Sequence, residues 1–237
     1  MLHKVQPDLT LYLAEEALKR RYDDSTSHLR ELVELQRDCQ NYLSMENIRK
    51  IYARMMKMEV AKMVTEAVYQ SLSSEEKEFV ALKYGRKKQM VAISLKLNIS
   101  LAQLNIRQRV ILERVADFML YRLREKDVFE RAKIFNMVKM LEKILDFARS
   151  CDPERKFMTG DWVEALTERH TRYLELLKKI DRILSRNENS LREKIISEKI
   201  RAPHRKLETL ARQCNADKSV VSRHLKNFVA EARQYLE

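Results

Sequence analysis

The sequence predicts an all-α protein, and three observations support that fold class. The 237 residues include 2 glycines and 3 prolines, whereas average usage would give roughly 17 glycines and roughly 12 prolines. Leu, Lys, Glu, Arg, Ala and Met dominate, and these residue types favour helices. Apolar residues also recur at helical spacing along most of the chain. P-loop, doubly wound α/β and β-sandwich folds are disfavoured, because their loops and turns need glycine.

The beginning of the chain is a predicted N-terminal helical region, over 1–72. Pro7 opens a short helix to about Tyr22, and apolar residues at helical spacing then continue over 28–72. We expect these long amphipathic helices to orient the modules that follow and to offer a surface for assembly.

A capping box begins the first of two predicted tri-helical helix-turn-helix modules, over 73–126. Ser73 stands at the N-cap and Glu76 at N3. This first helix is expected to end at Gly85, in the left-handed C′ conformation that glycine favours. The module continues with a helix over Met90–Leu97, a turn at Asn98 and a helix from Leu101 to about Lys126.

The same pattern returns 117 positions later. Connecting helices are predicted over 127–189, and Ser190 with Glu193 then forms a second capping box, which opens a second module over 190–237. At this offset a basic turn, an Asn turn and the apolar positions correspond: Lys88 with Arg205, Asn98 with Asn215, and Met90, Ile93, Leu97, Leu104 and Ile111 with Leu207, Leu210, Cys214, Val221 and Phe228. We interpret the two modules as copies of one helical unit, an internal duplication.

The segment Leu207–Lys226 has the residue pattern of a helix-turn-helix. Small Ala211 suits the crossing of the two helices, Asn215 suits the turn, and Val221 anchors the second helix in the core. The run Ser219-Val220-Val221-Ser222-Arg223-His224-Leu225 resembles the recognition helix of bacterial helix-turn-helix transcription regulators. That resemblance implies a helix that enters the DNA major groove. The side chains expected to contact DNA are Lys218, Ser219, Ser222, Arg223 and Lys226.

The first copy, Met90–Arg109, is looser, and it is similar in context to the promoter-reading C-terminal region of sigma factors and to phage late-gene regulators built on it. The resemblance implies that bases are read by Gln103, Asn105, Arg107 and Arg109. Leu101 and Ile106 depart from the pattern, because they are apolar where polar contacts are usual. A copy kept for packing or for a protein contact therefore stays open beside DNA reading.

The positive charge is concentrated in the two modules. The formal net charge is +12, of which residues 73–126 carry +6 and residues 190–237 carry +5. This distribution favours binding to a polyanion. We expect the basic turns to grip DNA phosphates, with Lys87 and Lys88 in the first module and Arg205 and Lys206 in the second.

No motif for catalysis, a metal or a cofactor is found in the sequence. The 3 cysteines and 5 histidines lack the spacing of a disulfide framework, a zinc site or a catalytic triad. No signal-peptide pattern begins the chain, and no uncharged apolar stretch approaches the ~18–20 residues of a membrane span. We expect a cytoplasmic, nucleoid-associated protein that is no enzyme, uses no cofactor and has no membrane partner.

The leading interpretation is a sequence-specific transcription regulator that binds double-stranded DNA through two helix-turn-helix modules. One alternative is a sigma-like factor that recruits RNA polymerase. The promoter-melting part of such proteins has clustered aromatic residues, whereas residues 28–72 contain only Tyr42, Tyr52 and Tyr69. Another alternative is a helical adaptor whose modules bind protein. Two further kinds of partner also remain open. One is RNA polymerase or another regulator, bound by the N-terminal helices, and the other is a second copy of the chain in a homodimer.

Overall fold

A computed structural model describes residues 7–22, 37, 59–151, 160–185 and 190–236. Every regular element within these ranges is helical, which confirms the all-α prediction. The helical spacing expected over 28–58 lies outside the described residues except at Arg37, which is helical. The chain divides into two compact units, Met1–Leu120 with Lys143–Gly160, and Tyr121–Glu142 with Asp161–Glu237.

Besides the helical residue Arg37, ten α-helices occur in the described ranges. They are α1 (Pro7–Tyr22), α2 (59–71), α3 (Ser74–Val80), α4 (Met90–Leu97), α5 (Leu101–Met119), α6 (Arg131–Cys151), α7 (Gly160–Ser185), α8 (Leu191–Arg201), α9 (Leu207–Cys214) and α10 (Lys218–Ala232). A π-helical turn, Ala81–Gly85, follows α3, and 3-10 turns occupy Glu125–Phe129 and Arg233–Tyr235. The bounds of α4 are those that the sequence predicts.

In the first unit, α1 packs against α5 and against the π-helical turn. Ala14 and Leu18 of α1 are fully buried, as are Leu104 and Val115 of α5. The capping box at the start of α3 is present, because Ser73 Oγ accepts the Glu76 N–H at 3.2 Å and the Ser73 N–H donates to the Glu76 carboxylate at 2.8 Å. The core of this unit is therefore built by helices that precede α4 in the chain and by α5, which follows it.

Gly85 corrects one expectation from the sequence. No described glycine has a positive φ, and the left-handed conformation belongs to Lys87, at φ 50°. The chain after α3 widens into the π-helical turn, which closes when the Arg86 N–H donates to the Ala81 carbonyl at 2.9 Å. Glycine is needed at position 85 for space, because a Cβ there would lie 2.9 Å from Cδ1 of the Tyr22 ring.

In the second unit, α8, α9 and α10 pack against one another. Their shared core is made by Ile195, Leu210, Ala211, Cys214 and Val221. The 3-10 turn before α6 packs on α10, where the rings of Phe129 and Phe228 have centroids 5.6 Å apart. The same turn is fixed by a buried ion pair between Asp127 and Lys133, at 2.8 Å.

Two helical hairpins of the described chain turn in the same way. The first hairpin is α4 with α5, and the second hairpin is α9 with α10. Each turns at an asparagine in the left-handed region, Asn98 at φ 52° and Asn215 at φ 51°. The buried positions of the hairpins match at the offset of 117, as with Ile93 and Leu210 or Leu104 and Val221.

The preceding helices are not in that register. The buried residues Phe79, Val80 and Tyr84 match the buried Ile195, Ile196 and Ile200 at an offset of 116. The caps Ser73 and Ser190 and the hairpins are 117 apart. The first unit therefore has one more residue than the second between the cap and these buried positions, and one fewer between them and the hairpin. In the first unit, the π-helical turn lies in this part of the chain.

Candidate nucleic-acid interface

The second hairpin presents one polar side of α10 to solvent. Val221 and Phe228 are buried and define the inner side of the helix. A residue two positions after Val221 lies about 200° around the helix axis. Arg223 therefore points outward, and it is exposed together with Ser219 and Lys226. Ser222, at the edge of this side, is half-buried.

Four exposed cations of the second hairpin and its preceding turn make no ion pair with any described residue: Lys206, Arg212, Arg223 and Lys226. Sequence reasoning missed Arg212. Helical spacing could have indicated this residue, because Arg212 follows the buried Leu210 by two positions and so lies on the outer side of α9. These four cations outnumber Asp217, the exposed acid at the N-cap of α10, so the hairpin has an excess of positive charge.

Two other predicted DNA contacts are already paired within the unit. Arg205 donates to the Glu198 carboxylate at 2.6 Å, and its carbonyl accepts from Lys199 Nζ at 3.0 Å. Lys218 forms an ion pair with Glu208, which joins α10 to α9. Hydrogen bonds from Arg201 and Arg205 lower the pKa of Glu198, and the hydrogen bond from Lys218 lowers the pKa of Glu208. Both acids are therefore ionised at neutral pH and keep these cations engaged.

In the first hairpin, the four residues expected to read bases fall into two groups. Gln103 and Asn105 are exposed near the start of α5. Arg107 is turned back to α3, where it pairs with Glu75 at 3.0 Å, and its Nη1 is buried without a hydrogen bond. Arg109 is exposed and pairs along the helix with Glu113 at 3.3 Å.

The basic turn before the first hairpin is open to solvent. Arg86, Lys87 and Lys88 are all exposed, and the side chains of Arg86 and Lys88 make no ion pair within the described ranges. The Lys88 N–H donates to the Leu82 carbonyl at 3.0 Å, which holds the turn against the π-helical segment. This turn can therefore meet an anionic group on a partner.

Among the described residues, no three His, Cys, Asp or Glu side chains are grouped to hold a metal ion. None of the described helices is both long and apolar enough to cross a membrane. The chain was compared with protein families, curated proteins and solved structures. It matches none of them.

Proposed function

We propose that this protein is a sequence-specific regulator of transcription that binds double-stranded DNA through its second hairpin. One observation carries the proposal: the outward side of α10 gathers Ser219, Arg223 and Lys226, with no described acid paired to either cation. A single exposed helix fits the major groove, which is about 12 Å wide. In this position an arginine can read guanine while a lysine binds a phosphate.

The paired cations of the same unit support this assignment by contrast. Arg192 pairs with Glu231, Arg205 with Glu198, and Arg233 with Glu125 at 2.6 Å. In the second hairpin, Lys218 is paired with Glu208, whereas Arg212, Arg223 and Lys226 make no ion pair with a described residue. Three such cations on one hairpin are the charge pattern expected of a phosphate binder.

The proposed role is binding, and it needs no catalytic group, metal or cofactor. Regulation of transcription rests on the resemblance of residues 219–225 to bacterial recognition helices. A protein with this role acts in the cytoplasm, at the nucleoid. Recruitment of RNA polymerase is a further step, and transcription from the bound site with core polymerase alone would reveal it.

The test begins with selection of sequences bound by the full chain from a random duplex pool. The affinity for the selected site is then measured for wild type, for Lys206→Ala/Lys226→Ala and for the control Lys178→Ala/Arg182→Ala. The control removes two exposed cations from α7 that make no ion pair with described residues. We expect the hairpin variant to bind about tenfold more weakly, because it loses two phosphate contacts.

The control variant should bind within about twofold of wild type, because charges away from the interface are screened by salt. Equal losses in the two variants would mean a general charge effect. A pool without an enriched sequence would refute sequence-specific binding.

A further inference from the structure

The first hairpin exposes apolar side chains where the second hairpin is polar. Five large apolar residues are exposed there: Val91 (56%), Leu95 (80%), Leu101 (43%), Ile106 (65%) and Val110 (46%). At the offset of 117 their equivalents are Glu208, Arg212, Lys218, Arg223 and Asn227. The second hairpin has the same turn and shares buried positions such as Ile93/Leu210 and Leu104/Val221, so the fold does not require apolar residues on this side.

These five apolar residues are named here the apolar face, and four of them form rows along the helices. Val91 and Leu95 lie one turn apart on α4, and Ile106 and Val110 lie one turn apart on α5, so the side chains within each row are neighbours. Half of the ten large apolar residues that are exposed in the described ranges fall on this one hairpin. Single exposed apolar residues are ordinary, whereas a cluster marks a contact surface.

The charge around the apolar face restricts the partner. Between Phe79 and Leu112 the sequence has seven Lys or Arg residues and no Asp or Glu. Arg86 and Lys88, whose side chains have no ion pair with a described residue, immediately precede α4, and Arg109 lies exposed between the two apolar residues of the α5 row. A second copy of this chain would bring like charges together, which is unfavourable. A partner with acidic side chains would pair with them.

DNA is a poorer partner for this face. Ile106 stands where the second hairpin has Arg223, and its side chain can neither donate nor accept a hydrogen bond. The major groove offers an apolar side chain only the methyl group of thymine. Burial of five apolar side chains requires a partner with an apolar surface of its own.

We propose that the apolar face docks an amphipathic α-helix of a partner protein, with an apolar stripe flanked by acidic side chains. Such a helix lays its i, i+3, i+4 and i+7 residues on an apolar surface. Its flanking carboxylates would meet Arg86, Lys88 and Arg109. This binding is separate from the proposed DNA contact, because it uses α4 and α5 and none of the residues of α9 and α10.

The test uses the full chain and a display library of helical peptides. Each peptide carries a fixed leucine stripe, and its flanking positions are drawn from Glu, Gln, Lys and Ser. We expect Glu to be enriched at the flanks. The affinity for a selected peptide should fall about tenfold or more in Leu95→Arg/Ile106→Arg, which removes the two most exposed apolar contacts. Phe135→Arg, at an exposed apolar position on α6, is the matched control and should bind normally.

Several outcomes would overturn the proposal. These are a library without enrichment, enrichment of Lys, or equal binding of the selected peptide by wild type and by Leu95→Arg/Ile106→Arg. A loss of specific DNA binding in this variant would assign the face to DNA instead. A dimer that the variant abolishes would assign it to a second copy. Unfolding transitions of wild type and variant should coincide, because both positions are exposed.

Discussion

At the scale of the residue, Arg223 distinguishes sequence reading from general attraction to DNA. Its side chain is exposed, pairs with no described acid and lies opposite the buried Val221. The planar guanidinium fork matches the O6 and N7 acceptors of guanine. Lys226, one turn further on, is a point charge on a flexible stem and suits a phosphate. The two neighbours should therefore differ in the kind of specificity that they provide.

We predict that Arg223→Ala costs about 1–3 kcal/mol of binding free energy on the preferred site and relaxes the choice at one base pair. Stability should change by less than about 0.5 kcal/mol, since the side chain is exposed. The measurement is the affinity of wild type and variant for every single-base change of the site. Lys226→Ala is the control, and it should weaken all sequences alike. If Arg223→Ala also leaves the base preferences intact, this arginine holds only phosphate.

Several single side chains could be placed from the sequence alone, and others could not. Helical spacing correctly predicts that Ser219, Arg223 and Lys226 face outward. It cannot predict that Lys218 is held by Glu208, or that Arg107 is held by Glu75, because those acids lie 10 and 32 residues away on other helices. Ion pairs of this kind depend on how helices pack, which spacing along one helix does not encode.

At the scale of the element, the hairpins follow from the sequence more closely than the helices around them. Asn98 and Asn215 tolerate the left-handed backbone, so both turns are fixed locally. The predicted end of α5, at about Lys126, was wrong. The apolar pattern continues to Leu123, yet the helix stops at Met119. Tyr121 takes a positive φ, and the Leu123 N–H donates to the Tyr173 hydroxyl 50 residues away. A contact at that distance cannot be read from the local pattern.

The contact between α1 and the π-helical turn gives a prediction about stability. We expect Gly85→Ala to destabilise the protein by about 1–3 kcal/mol, because the new methyl group would press on the Tyr22 ring. In a Tyr22→Ala background the same change should be neutral or slightly stabilising, since the ring is gone and alanine favours helix. Denaturant unfolding of the four proteins gives the coupling between the two positions.

A loss of equal size in both backgrounds would place the cause in the backbone at position 85. That result is not expected, because Gly85 has no positive φ that would exclude a side chain. The double-mutant comparison thus tests whether close approach, rather than conformation, makes glycine necessary here.

At the scale of the whole molecule, two modules of nearly equal charge have unequal surfaces. Residues 73–126 carry +6 and residues 190–237 carry +5. The first hairpin combines its charge with an apolar face, whereas the second hairpin combines its charge with serines and unpaired cations on polar sides. Net charge alone therefore does not assign the same partner to both hairpins. It is the exposed side of each helix that separates a proposed protein contact from a proposed DNA contact.

The salt dependence of DNA binding tests this division of roles. Each phosphate neutralised contributes about −0.9 to the slope of log K against log salt. If all four unpaired cations of the second hairpin and its turn contacted phosphate, Arg223 included, the slope would be about −3.6 per bound chain, and no steeper slope is expected. Lys206→Ala/Lys226→Ala should flatten the slope by about 1.8. Arg86→Ala/Lys88→Ala should leave the slope unchanged, because the proposal above assigns Arg86 and Lys88 to the acidic side chains of a partner protein's helix.

Footprinting of the full chain on the same site gives an independent reading of this prediction. One protected patch is expected, on the face of the duplex where the second hairpin enters the groove. A second patch about 34–36 Å away would place the first hairpin on DNA as well. In that case the slope would also be steeper than four phosphates allow, and Arg86→Ala/Lys88→Ala would flatten it. If the footprint shows one patch and the slope stays within the limit of four phosphates, the basic turn of the first hairpin remains available to a protein partner while DNA is bound.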